Sequence, residues 1–295
     1  MRSRKIEHAW SAIMLSPGLG LILIFIVVPI VLTAWISLHQ WSMYTPIRGM
    51  HFVGLANYRS IFGDPGFLQA LRNTLAYAGL SIVFIVPLAL AFGMFLFQDT
   101  VAGKSALRTV LFVPYMIPTL AVAIIWSYLY SPLYGPLNQI LGWVGLQRQA
   151  WLGSINLAMI SLVIFNVWQT VGYYTVLVIA GLTQIPIAYY EAAVIDGAGT
   201  LQRVAHITLP LLRRTLLFVV VIAVINTVQV FDPVYVLTQG GPAGATNVLS
   251  YQIYKSAFEY GLAGRASSMA FVLFVILVVA VAIVMRLLRA DEGTE

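Results

Sequence analysis

The chain has 295 residues, 60% of them hydrophobic and only 9% charged, against about 25% charged in an ordinary soluble domain. Too few polar residues exist to cover a water-soluble globule, so the composition specifies an integral membrane protein. The net charge of +6 and the pI of about 9.6 reflect the Lys and Arg that collect in cytosolic loops of such proteins. No basic run or basic–aromatic interleaving points to nucleic acid. The absence of Cys removes disulfides and thiolate metal sites from consideration.

In chain order, Met1 to Lys5 is basic and precedes an apolar stretch, as in a signal peptide. That stretch runs about 25 residues, longer than a signal h-region, with no small-residue cleavage site after it. It is expected to be a retained first span. A helix crossing the hydrocarbon needs roughly 20 apolar residues, and six stretches qualify, at about 14–38, 75–97, 106–130, 156–183, 213–232 and 266–288. Pro29, Pro87, Pro114 and Pro118 lie within them and predict kinks. The expected fold is all-α and polytopic, with a cytosolic segment at 1–13, one membrane domain at 14–288 and a cytosolic tail at 289–295.

An even number of spans puts both termini on one side. With both inside, the cytosolic pieces carry ten Lys and Arg and the outer pieces six, and the outer count is raised by the long loop at 39–74, where the charge rule is weaker. Cytosolic termini are expected.

The segment "YYEAAVIDGAGTLQRVAHITLPLL" (Tyr189 to Leu212) then lies in the cytosol, and its polarity sets it apart. Pro186 suits the first turn of a helix. Gly197 can end that helix with a positive φ. Thr200 is expected to cap a second helix that Pro210 breaks. Ala193 and Gly197, at i and i+4, leave a face that another body can approach closely. A tight hairpin packed on its own spans is the alternative.

Two polar groups lie at mid-span. Asn166, Gln169, Thr170 and Tyr173 form one stripe of the fourth span, and Asn226, Thr227 and Gln229 cluster in the fifth. Counting at 1.5 Å per residue, Asn166 lies roughly 15 Å from the outer end and Asn226 about 18 Å from the inner side. Both therefore reach the midplane of a core about 30 Å thick. Such residues also serve as interhelical hydrogen-bond glue worth about 0.6 kcal/mol each, but four polar positions on one face favour a cavity. Amides, a hydroxyl and an aromatic ring without charge suit a neutral, hydroxyl-rich solute. Asp232, near the outer end of the fifth span, reads as structural.

Glu191-Ala192-Ala193, Gly197, Ile207, Leu209 and Pro210 match at every position the E-A-A-x3-G-x9-I-x-L-P motif of ABC importer membrane subunits, and Asp196 lies within it. "FVGLANY" (52–58), "RNTLAY" (72–77), "RTVLFVPYMIP" (108–118), "AGLTQIP" (180–186), "IDGAG" (195–199) and "LTQGGP" (237–242) are similar to the permeases of binding-protein-dependent importers for sugars and glycerol 3-phosphate, the maltose-transporter type. The resemblance covers nearly the whole chain from residue 14. It is to the six-span form, without the extra N-terminal spans and periplasmic insert of some relatives. It implies a type I ABC importer transmembrane domain whose segment 186–212 docks on a cytosolic ATPase through these residues. It also implies a second, homologous permease as heterodimer partner, two ATPase subunits holding ATP and Mg, and an extracytoplasmic solute-binding protein at a bacterial inner membrane. Asn166 and Tyr173 match solute-contacting residues of that family. Gln169, Thr170, Asn226 and Thr227 occupy neighbouring positions with other identities, so the solute can differ.

No G-x-x-x-x-G-K-[ST] loop is present, and "GGPAGAT" (240–246) lacks the Lys and reads as an outer turn. His8, His39, His51 and His206 have no metal-ligand spacing, and no catalytic carboxylate pair is evident. A secondary transporter would show repeated halves or an intramembrane ionisable group. A scaffold needs no polar midplane stripe, and a channel needs no coupling motif. The chain is expected to be a non-catalytic permease moving a sugar or polyol, with no cofactor of its own.

Overall fold

A computed structural model describes residues 14–98 and 100–289. The expected cytosolic segment 1–13, Asp99 and residues 290–295 of the expected tail lie outside the described residues. The chain is helical apart from one small ladder. α1 (Met14–Ser37) leads into β1 (His39–Gln40), which pairs antiparallel with β2 (His51–Phe52), and then into α2 (Ala56–Phe62). There follow α3 (Pro65–Phe97), α4 (Lys104–Met116), α5 (Thr119–Leu129), α6 (Pro136–Trp143) and α7 (Ile155–Leu182). The last elements are α8 (Ile187–Ile195), α9 (Thr200–Val228), α10 (Leu249–Tyr254) and α11 (Ala263–Arg289).

Among the described residues, α1, α3, α7, α9 and α11 are each long and apolar enough to cross a membrane. The third expected span is a bent pair, α4 and α5, which meet at 98°. Pro118 explains the break. Its ring disfavours helical backbone at the residue before it, and Ile117 is extended, at φ −84 and ψ 136. By contrast Pro87 and Pro114 sit inside continuous helices.

The chain divides into two compact units, Met1–Pro65 with Gln252–Val275, and Gly66–Tyr251 with Ile276–Glu295. In the first, Asn57 closes the turn after α1, its amide donating to the carbonyls of Ser37 (2.8 Å) and His39 (2.9 Å). The hydroxyls of Tyr58 and Ser37 meet at 2.7 Å. Asn57 and Tyr58 of "FVGLANY" are therefore a clamp. The Arg265 guanidinium pairs with the Asp64 carboxylate. No residue in the most apolar stretch of α1 is buried, as suits a helix whose solvent is lipid.

In the second unit α7 is the hub. Ile85 and Ala89 of α3, Val171, Tyr174, Val178 and Leu182 of α7, and Leu212, Val219 and Ala223 of α9 share one buried core. Glycines set the crossings. A Cβ on Gly172 would overlap the Leu111 carbonyl of α4, one on Gly93 would press on Val178, and one on Gly181 would meet Thr215 and Leu212. Hydrocarbon offers no hydrophobic drive between helices, so close approach through small residues supplies the packing instead. Toward one end, the Asn73 amide of "RNTLAY" donates to the carbonyls of Gly244 (2.8 Å) and Asn247 (3.0 Å), and the Thr74 hydroxyl accepts the Leu249 N–H at 2.8 Å. The "LTQGGP" loop is thus fastened to α3.

Because the obstacle at Gly172 is backbone, Gly172→Ala is expected to force α4 and α7 apart and cost about 1–3 kcal/mol, as overpacking does. Gly79 of α3 has nothing within 4 Å of its would-be Cβ, so Gly79→Ala is expected to leave the detergent melting temperature unchanged or raised. Equal melting temperatures for the two variants would contradict this account of the crossing.

Candidate functional site

The stripe on α7 opens onto a cavity of about 300 Å³. α7 contributes Asn166, Gln169 and Thr170, and α9 contributes Asn226. The remaining lining comes from two places where a helix is interrupted. Tyr115 and Thr119 flank the break between α4 and α5, and Gln229 to Pro233 follow the end of α9. At the second break Pro233 has no N–H to give the Gln229 carbonyl four residues back, so the helix cannot run through it. Residues 229–231 are non-helical before a short helical turn begins at Asp232. Irregular backbone at membrane depth is tolerated where it is buried in protein or lines a cavity, and sites of this kind are built at discontinuous helices.

Some of these polar groups are committed to the protein. Gln169, almost fully buried, donates to the Thr119 hydroxyl at 3.1 Å and ties α7 to α5. The Asn226 amide donates to the Tyr174 hydroxyl at 3.2 Å, and the Thr170 hydroxyl donates to the Asn166 carbonyl at 2.7 Å. The Asn166 Nδ2 differs: it is buried and has no hydrogen-bond partner. An amide nitrogen left so costs about 1–3 kcal/mol, unless a guest in the cavity accepts from it. No Lys, Arg or His lines the cavity, and Asp232 is its single charged residue.

Of the seven mid-span residues expected at such a site, five line the cavity. Tyr173 does not, but its ring stacks on that of Tyr115 at 4.3 Å and 14°, fixing a lining residue from behind. Thr227 is buried within α9 and donates to the Ala223 carbonyl at 2.6 Å, a bond inside its own helix. Tyr115, Thr119 and Asp232 were not expected there. Pro118 and Pro233 were the available signals, since each marks a break that turns its neighbours inward.

The segment at 186–212 forms a second feature. α8 has no buried residue. Gly197 has φ +79 and closes the helix as a Schellman turn, with the Ala198 N–H donating to the Ala193 carbonyl at 2.8 Å. Ala193, Asp196, Gly197 and Ile207 line an open cleft of about 400 Å³. Glu191 and Ala192 are exposed. Ile195 is 86% exposed and Leu201 83% exposed, apolar groups on the hairpin that are not among the motif's specified positions.

Two expectations for this segment are corrected. The cap of the second helix is Gly199, whose N–H donates to Gln202 Oε1 at 2.8 Å, and Thr200 is the first helical residue. Pro210 breaks nothing. The wide turn Val204–Thr208, closed by Leu209 N–H to the Val204 carbonyl, shifts the hydrogen-bond register just before it, so the missing N–H is absorbed. Leu209 and Pro210 therefore lie within a helix running unbroken from Thr200 to Val228.

Residues 85–290 match the family described as "Binding-protein-dependent transport system inner membrane component". The chain belongs to this family. It is the membrane-spanning permease subunit of an ABC importer. It is 40% identical over 258 residues to the probable ABC transporter permease protein YurN of Bacillus subtilis, covering 86% of this chain and 87% of that one. To the trehalose/maltose transport system permease protein MalF of Thermococcus litoralis it is 36% identical over 263 residues, 88% of each. Its fold matches that of a bacterial ABC transporter involved in import of the acidic polysaccharide alginate, with TM-score 0.83 and 25% identity over 97% of this chain and 98% of that one.

Proposed function

We propose that the cavity holds a neutral sugar or polyol in transit, and that α8 with the start of α9 is the docking surface for a separate ATPase. The observation that carries the first part is the buried, unpartnered Asn166 Nδ2 in a cavity whose lining is mostly amides, hydroxyls and rings, with Asp232 its one charged residue. Sugar O–H groups pair with amides while their C–H faces lie on Tyr115 and Phe231. The likeness to a trehalose/maltose permease supports this reading. A solute as acidic as alginate would call for basic groups that this cavity lacks.

The docking role is supported by Ile195 and Leu201, which offer apolar surface beside Glu191 and Gly197. α9 joins the two features. From Ile207 to Asn226 is roughly 28 Å of continuous helix at 1.5 Å per residue. A displacement imposed on the segment is thereby carried to the cavity, and the Tyr190–Thr208 hydroxyl pair at 3.1 Å keeps α8 on that rod. In the complete transporter a second permease closes the pathway, two ATPases hold ATP and Mg, and an extracytoplasmic binding protein delivers the solute. Both termini face the cytosol of a bacterial inner-membrane system.

Reconstituted with these partners, the transporter is expected to take up neutral disaccharides from a panel of maltose, trehalose and cellobiose, and uptake restricted to acidic sugars would sink the neutral class. Asn166→Ala is expected to lower uptake about tenfold, the worth of one hydrogen bond at about 1–1.5 kcal/mol. Thr227→Val should leave uptake unchanged.

For coupling, Ile195→Asp changes an exposed side chain with no packing to lose, and Gly197→Asp adds a Cβ that would meet nothing within 4 Å but strains the φ +79 turn that closes α8, a cost confined to the hairpin. Both are expected to abolish transport and weaken co-purification of the ATPase without lowering the melting temperature of the spans. Normal transport by both variants would contradict the docking assignment.

A further inference from the structure

We infer that Asp232 sets the charge selectivity of the cavity, turning away anionic solutes and admitting neutral and amino-bearing ones; this rests on the proposed solute role of that cavity. Asp232 stands in the lining, half-buried, where the chain re-enters a helical turn after the break at 229–231. Among the described residues no ion pair or hydrogen bond engages its carboxylate, and no cation lines the same cavity. Among the described residues nothing therefore pairs with its charge, which acts on whatever enters.

The donor pattern fits a solute with hydroxyls or amines. An ionised carboxylate only accepts hydrogen bonds, so it takes two O–H groups of a vicinal diol, or an ammonium. The free Asn166 Nδ2 supplies the complementary donor to a sugar oxygen. Gln169 and Asn226 have already given one N–H each to Thr119 and Tyr174. A carboxylate, sulfonate or phosphate on the solute would meet Asp232 as a like charge in a space with less water to screen it than the bulk.

A helix-start role for Asp232 is separable from this one. Asn at 232 keeps the size of the side chain and an oxygen acceptor while removing the charge, so Asp232→Asn leaves a structural role nearly intact and deletes the electrostatic one.

The test uses the full complex of both permeases and both ATPases in nanodiscs, without binding protein, and three disaccharide probes: maltose, the glucosamine dimer and digalacturonate. Equilibrium binding of each radiolabelled probe is measured for the wild type and for Asp232→Asn. In the wild type digalacturonate is expected to bind at least about tenfold more weakly than maltose, and the glucosamine dimer no more weakly than maltose. In Asp232→Asn the gap between digalacturonate and maltose is expected to shrink to about threefold or less. Equal binding of digalacturonate and maltose by the wild type overturns the inference, as does a gap that survives the substitution. Asn166→Ala separates the two levels. If it weakens the probes while Asp232→Asn leaves their ranking alone, only the selectivity role fails. If Asn166→Ala changes nothing, or no probe binds, the cavity reading itself fails.

Discussion

In hydrocarbon every backbone N–H and C=O must find its partner inside the protein, and the site depends on where this chain violates that rule. Helices α4/α5 and α9 are interrupted at Pro118 and Pro233, where the imino ring removes a donor and bars continuous helix. The loose ends are held locally, as in the Gln229 N–H to the Ile225 carbonyl at 3.3 Å and the Tyr235 N–H to the Phe231 carbonyl at 2.9 Å. Both interruptions face α7, which has no proline and remains unbroken. The cavity is the space those breaks leave against a straight helix, and its polar lining is what makes the breaks tolerable.

The other faces of α7 hold the arrangement together. Gly172 brings its backbone against that of α4, and Gly181 makes room for the Thr215 and Leu212 side chains of α9. Gly172 lies between Thr170 in the lining and Tyr173, which buttresses Tyr115. α9 adds the axial element: a proline that would ordinarily cut it is accommodated by a wide turn, leaving one rod between the exposed hairpin and the cavity. In the proposed transport cycle that rod is the route by which ATP-driven docking reaches the solute.

Much of this was legible in the residues. Apolar runs of crossing length, the E-A-A-x3-G-x9-I-x-L-P spacing and the 3.6-residue rhythm of Asn166, Gln169 and Thr170 are local patterns, and local patterns survive without a fold. The positive φ of Gly197 was legible for the same reason, since only glycine adopts it freely. Thr227 misled because a polar residue at mid-membrane reads alike whether it faces a cavity or bonds its own helix. Asp232 misled in the opposite direction, read as structural when it lines the cavity. Pro210 misled because whether a proline breaks a helix depends on the hydrogen-bond register before it, which composition does not display.

By itself, then, the sequence determined that the chain lives in a membrane, how many apolar segments it has, and which short segment carries the E-A-A-x3-G-x9-I-x-L-P spacing. These follow from transfer energetics and near-neighbour geometry, which act over a few residues. Only the tertiary structure decided which polar side chains share one cavity, that Asn166 Nδ2 is left without a partner there, and that Asp232 is the charge it presents. Those facts depend on where two broken helices meet a third, and residues as far apart as Thr119 and Gln169, or Tyr174 and Asn226, become neighbours only when the chain has packed.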